Sequence, residues 1–210
     1  MKAFQLIGGS AEVDATTALN EVAQPDPGPG QVLIRIGGAG ACHSDISLMQ
    51  FSAGGPRETP MTLGHENAGW IEAFGPGTVP TPGLEIGSPV AVYGAWGCGQ
   101  CSNCRKGMEN YCLTGNVQTY NGRHYDQAPT YGGYAQDIVV DQNYVLKVSE
   151  KIDAAGAAPL LCAGVTLWSP LKHWQVGPGK RVAILGLGGL GHMGVKFAHA
   201  LGAHVTVISH

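Results

Sequence analysis

Four of the chain's six cysteines crowd into GCGQCSNCRKGMENYC, as Cys98, Cys101, Cys104 and Cys112. Their C-x2-C-x2-C-x7-C spacing lets neighbouring sulfurs converge, and a Zn2+ ion takes four thiolates at ~2.3 Å in a tetrahedron. Gly97 and Gly99 allow the backbone to turn tightly around such an ion. Four thiolates fill the metal's shell, so zinc held here is structural. An iron–sulfur cluster suits the ligand chemistry but less so the spacing. Disulfides are disfavoured because the N-terminal MKAFQLIGGSAEVDATT does not read as a signal peptide. The expected compartment is the cytoplasm, where thiols stay reduced.

Two cysteines remain, Cys42 in GACHSDI and Cys162 in PLLCAGV, and TLGHENAGW supplies His65 and Glu66. Two cysteines and one histidine make an open zinc site, with one position left for water or substrate. Zinc lowers the pKa of an oxygen ligand, so an alcohol in that position could lose its proton near neutral pH. Asp45 is a candidate to hold the His65 imidazole, and Glu66 to lie behind the metal and tune its charge. Each acid also suits a solvated turn, and Cys162 alone suits a packed helix, since cysteine behaves as a small hydrophobe.

AILGLGGLGHMG presents G-x-G-x-x-G as Gly186, Gly188 and Gly191. One match is weak in a chain with 33 glycines, but its context strengthens it. An apolar strand runs into Gly186, a helix opens through Gly189 and Leu190, and a second apolar strand follows. The first glycine permits the tight turn, the second lets a pyrophosphate approach the backbone, and the third lets helix and strand pack. A ligand-free βα turn is the alternative. Ser209 falls about where an acid would bind the ribose 2'-hydroxyl of NAD. Its lack of charge favours NADP(H) over NAD(H).

The elements that must position these groups read in two textures. Up to residue 152, short strands such as KAFQLI, QVLIRIGGAG, WIEAFG, SPVAVYG and YAQDIVVD alternate with Gly and Pro turns, which predicts a β-barrel or rolled sheet. From Asp153, an expected N-cap, DAAGAAPLLCAGVTLWSPLKHWQ predicts one or two helices. RVAILGLGGLGHMGVKFAHALGAHVTVIS then reads as a βαβ unit. The expected domains are 1–152 and 153–210. A net charge of -3 with twelve Lys and Arg leaves no basic stripe for nucleic acid. No apolar run approaches the ~18 residues of a membrane span.

GACHSDI, LGHENAGW, GCGQCSNCRKGMENYC and ILGLGGLGHMGVK together resemble the zinc-dependent medium-chain alcohol dehydrogenases. TYNG, GGYAQDIVV and APLLCAGVTLWSPLKHW are most similar to the cinnamyl-alcohol-dehydrogenase type, and VAVYGAWGCGQC to bacterial secondary-alcohol dehydrogenases. The resemblance implies a β-rich GroES-like catalytic domain followed by the start of an α/β Rossmann domain. It assigns Cys42, His65 and Cys162 to a catalytic zinc and the four-cysteine cluster to a structural one. It implies that Ser44 receives the alcohol proton, which passes through the cofactor ribose to His43 and solvent while hydride moves to the nicotinamide. The implied substrate is a small primary alcohol or its aldehyde, aromatic or allylic. Trp96 and Trp168 are candidates to line its pocket, with core packing an equal alternative. The parent protein is implied to be a homo-oligomer. Family members run well beyond 210 residues, so the chain is expected to be a fragment or part of a larger protein, weak or inactive alone. The second reading is a zinc-stabilised binding or scaffold protein without catalysis.

Overall fold

The computed structural model describes residues 1–10, 13–51 and 60–209. It divides into two compact units, Met1–Ala158 and Pro159–His210. In the first unit, β1 (Lys2–Ser10) pairs antiparallel with β2 (Val13–Glu21) and with the short β4 (Met61–Thr62). Between them come β3 (Gln31–Gly40) and α1 (His43–Phe51). The larger sheet also uses β5 (Glu66–Phe74), β6 (Pro89–Val92), β9 (Asp137–Asp141) and β10 (Val145–Lys147), in the antiparallel order β10-β6-β5-β3-β9. A two-stranded ribbon of β7 (Ala95–Trp96) and β8 (Val117–Gln118) frames the cysteine-rich lobe.

Strand β3 is flanked on both sides, by β5 and β9, and buries Val32, Leu33 and Ile34 in succession. Val32 and Ile34 join Ile71, Val90, Val92 and Val140 in the main core, where each buried aliphatic contributes roughly 1.5–3 kcal/mol over an exposed one. Trp96 belongs to this core at 2% exposure and packs beside Tyr144 and His124. The β3–β5 approach depends on Gly69, where an added Cβ would overlap the Arg35 carbonyl oxygen.

Asp153 caps α2 (Ala154–Ala157), accepting the Gly156 amide at 2.7 Å. Helix α2 packs on β3 and β5, with Gly37 and Gly38 leaving room for Ala154. The compact first unit includes α2, which rests on its sheet, and runs to Ala158.

The second unit holds α3 (Ala163–His173) and a parallel βαβ: β11 (Arg181–Leu185), α4 (Gly189–Ala200) and β12 (His204–Ile208). Trp168 is 43% exposed and meets Phe197 edge to face, which joins α3 to α4. Gly186 takes φ 82°, the left-handed conformation that the strand-to-helix turn needs. Among the described residues, no single helix is long and apolar enough to cross a membrane.

Candidate functional site

Two groups of ligand-type side chains converge in the first unit. In the lobe, the sulfurs of Cys98, Cys101, Cys104 and Cys112 lie within 4.8 Å of one another. Cys101 and Cys104 sulfurs are 3.4 Å apart and Cys98 and Cys104 sulfurs 4.0 Å, too far for disulfides. Backbone amides point at the sulfurs: Cys98 N donates to Cys112, Cys101 N to Cys98 and Cys104 N to Cys101, each at 3.4 Å. Amides aimed at sulfur favour thiolate. The Thr114 hydroxyl beside Cys112, helped by the Cys98 amide, draws its thiol down to about 5. Burial and then the neighbouring thiols push Cys104 up to about 12. Four thiols this close cannot all ionise without a cation, and the donor set fits zinc. A 3-10 turn, Cys104–Lys106, and Gly107 at φ 72° fold the chain back to Cys112.

The second group forms where β3 hands over to α1 and β4 to β5. Cys42 precedes the helix, and His65 and Glu66 lead into β5 after Gly64, which turns the chain at φ 96°. One ligand atom each from Cys42, His65 and Glu66 falls within 4.8 Å of the others. Glu66 is buried at 4% exposure against Gly40, whose missing side chain leaves space for its carboxylate. A Glu66 carboxylate oxygen, expected from the sequence to lie behind a metal and tune its charge, lies within the same 4.8 Å as the sulfur and the imidazole.

Asp45 ties the site together. Its Oδ2 accepts the Cys42 amide at 3.0 Å and the Tyr134 hydroxyl at 2.8 Å, and its Oδ1 accepts the Gly64 amide at 3.4 Å. His65 Nδ1 lies 3.6 Å from Oδ1, an ion-pair contact beyond hydrogen-bond distance, and among the described residues this buried nitrogen has no hydrogen-bond partner. Burial works to raise the Asp45 carboxyl, but His65, the Cys42 amide and Tyr134 outweigh it and hold it below the usual carboxylate range. Burial lowers the His65 imidazole, and Asp45 more than compensates, leaving it raised. Soft sulfur, imidazole and carboxylate in one volume fit zinc.

A cleft of about 390 Å³ opens beside His65, lined by Ser44, Ser47, Leu48, Gly94, Gln118, Thr119, Tyr120 and Asn121. The Ser44 hydroxyl is 3.6 Å from the Cys42 sulfur, and exposed His43 meets the Ser47 hydroxyl through Nδ1 at 3.2 Å. Tyr120 tilts against the His65 ring at 5.6 Å. Burial, then the Asp45 charge, raises its phenol above the ordinary range, so it stays protonated. Sequence reasoning missed Tyr120, Tyr134 and Ser47. TYNG and GGYAQDIVV carried the family resemblance without any site role, and nothing local marks their approach to Asp45.

In the second unit, Cys162 stands at the N-terminal boundary of α3, its amide donating to the Pro159 carbonyl at 3.4 Å. At the glycine turn, a Cβ on Gly191 would overlap the Gly186 carbonyl oxygen, while a Cβ on Gly188 or Gly189 would meet nothing within 4 Å. The first and third glycines are thus needed by the fold, and the second leaves open space above the α4 N-terminus, next to Leu190. Open backbone at a helix N-terminus fits a pyrophosphate. Ser209 directly follows β12.

A β-rich unit with two ligand clusters, followed by a dinucleotide-type βαβ, is the architecture of the first part of a medium-chain dehydrogenase. The chain belongs to the alcohol dehydrogenase family: residues 28–150 match the alcohol dehydrogenase GroES-like domain. It is 49% identical over 183 residues to a probable formaldehyde dehydrogenase of Bacillus subtilis, covering 86% of this chain and 51% of that one. It is 46% identical over 206 residues to an NADP-dependent alcohol dehydrogenase C of Mycobacterium bovis, covering 97% and 58%. A solved cinnamyl alcohol dehydrogenase of Sorghum bicolor superposes with a TM-score of 0.84 at 37% identity, covering 100% of this chain and 58% of that one. The chain spans about half the length of the curated relatives it matches.

Proposed function

We propose that the protein carrying this sequence is a zinc-dependent oxidoreductase that interconverts a primary alcohol, aromatic or allylic ones included, and its aldehyde with NADP(H). The observation that carries the reading is the meeting of sulfur, imidazole and carboxylate at the edge of a cleft lined with hydroxyls. Cys42 and His65, with Cys162 as the third protein ligand, hold a catalytic zinc, and Cys98, Cys101, Cys104 and Cys112 a structural one. When bound, the catalytic zinc is a Lewis acid that makes a substrate hydroxyl more acidic and polarises an aldehyde carbonyl. Ser44 takes up the substrate's proton, and exposed His43, bonded to Ser47, hands protons to water. Asp45 keeps the Cys42 and Gly64 loops in place, and Glu66 adds negative charge beside the sulfur. The open amides at Gly188, Gly189 and Leu190, between Gly186 and Gly191, take the cofactor pyrophosphate. An uncharged Ser209 accommodates a ribose 2'-phosphate, in keeping with the NADP dependence named for the Mycobacterium bovis relative. The reading includes a cytoplasmic homo-oligomer acting on small molecules.

Metal analysis of the purified protein tests the sites: about two zinc per chain are expected, and one or none sinks the two-site assignment. NADPH consumption with cinnamaldehyde or benzaldehyde tests the reaction. Cys42→Ser should abolish it and remove one zinc. A protein with both zincs that neither binds nor oxidises NADPH is the scaffold of the second reading.

A further inference from the structure

Tyr134 stands 89 residues from Asp45 in the chain, yet its hydroxyl lies 2.8 Å from Asp45 Oδ2 and 3.1 Å from the Gly40 carbonyl oxygen. The same carboxylate touches both loops that bring ligands to the site. Oδ2 holds the Cys42 amide, and Oδ1 holds the Gly64 amide and faces His65. The terminal torsion of an aspartate is soft and close to two-fold. The long 3.4 Å bond from Gly64 and the 3.6 Å contact with His65 constrain it weakly, which leaves Tyr134 and the Cys42 amide to set its rotation.

Tyr134 is itself held firmly. Its amide donates to the Leu63 carbonyl at 2.9 Å, and its carbonyl accepts the Phe4 amide at 2.7 Å. A Cβ on Gly64 would come within 2.7 Å of its ring, so the ring and the loop before His65 are fitted to each other. The phenol therefore approaches Asp45 from a fixed backbone, as a group that orients a ligand's partner does in a metal site.

We propose that Tyr134 is a positioning residue of the Cys42–His65 site, which locks the Asp45 carboxylate so that it clamps both ligand loops. The proposal rests on the metal-site reading above. It acts through Asp45 and touches neither substrate nor cofactor.

The test follows zinc release to a chromogenic chelator from the purified protein, with the four-cysteine zinc as an internal control. Wild type should release its two zincs in separate phases. Tyr134→Phe should speed one phase by about tenfold and leave the other unchanged, the low end for loss of an outer partner. Asp45→Asn should speed the same phase, and the double variant should release no faster than Asp45→Asn alone. Cobalt substituted at the site should show altered visible bands in Tyr134→Phe. Additive effects in the double variant, or an unchanged release rate, overturn the proposal. Should Tyr134→Phe fail to fold, 3-fluorotyrosine at 134 keeps the shape and donates more strongly; slower release supports the clamp, and unaltered release overturns it. A wild type whose only zinc survives Cys42→Ser removes the metal-site reading and this proposal with it. Two zincs with an indifferent Tyr134→Phe removes the proposal alone.

Discussion

Two buried carboxylates of the first unit show how environment, rather than residue type, decides what an acid does. Asp45 is surrounded by donors and held low. Asp137, at 9% exposure, is raised from its ordinary 3.8 first by burial and then by the Glu72 charge, with the N-terminus, Gln24 and Arg35 pulling the other way. A raised carboxyl binds its proton more tightly in the folded state, so its stabilising contribution is present below pH 3.8 and is lost as pH rises through the folded pKa. Asp137→Asn, neutral throughout, should match wild type near pH 3 and become the more stable of the two by pH 7. The measurement is the urea midpoint of both proteins across that range, and a gap that stays constant or closes with pH contradicts the assignment. The sequence offered Asp45 as a partner for the His65 imidazole because the acid and histidine motifs suit a metal site, and the structure sets them 3.6 Å apart. Tyr134 was not legible there, because a contact across 89 residues leaves no local pattern.

At the scale of elements, patterns with a period survived best. The βαβ was legible because apolar strands, a glycine turn and a helix repeat succeed one another within one short stretch. The β2 segment VDATTALNE has little alternation, and the nine-residue α1 has little apolar face; both are held by partners elsewhere in the chain. Trp96 looked equally suited to pocket and core, and only the packing of Tyr144 and His124 around it decides for the core. The glycine turn separates a fold role from a ligand role. Gly191→Ala drives a methyl into the Gly186 carbonyl and should destabilise the second unit by about 1–3 kcal/mol, as overpacking does. Gly188→Ala meets open space at φ -81° and should cost under about 1 kcal/mol, yet it should weaken NADPH binding by filling the pyrophosphate's position. Thermal melting beside NADPH fluorescence titration distinguishes them: equal NADPH affinity in Gly188→Ala and wild type would falsify the ligand role.

For the molecule as a whole, the question is what holds each part folded. The main sheet has a continuous aliphatic core, and the second unit buries little of its sheet, with Leu185 and Ile208 at 78% and 57% exposure. The lobe is the extreme case. From Cys98 to Cys112, Cys104 is the one buried residue, so apolar burial offers that segment almost nothing. Local turns, among them the Asn103 side chain donating to the Tyr111 carbonyl at 2.7 Å, and the amides aimed at the sulfurs shape it, and on the proposed reading a metal held by the four sulfurs adds folding energy there. Arg105 and Lys106 sit exposed at the tip of this segment, which makes trypsin a direct probe. With zinc bound, cleavage after these residues should be slow. Chelation, or Cys101→Ser, should speed it by roughly tenfold or more, because local opening no longer competes with the metal. The far-ultraviolet signal of the main sheet should stay in place, since that core does not depend on the lobe. Cleavage equally slow after the zinc is removed would mean that the lobe is held by something other than metal.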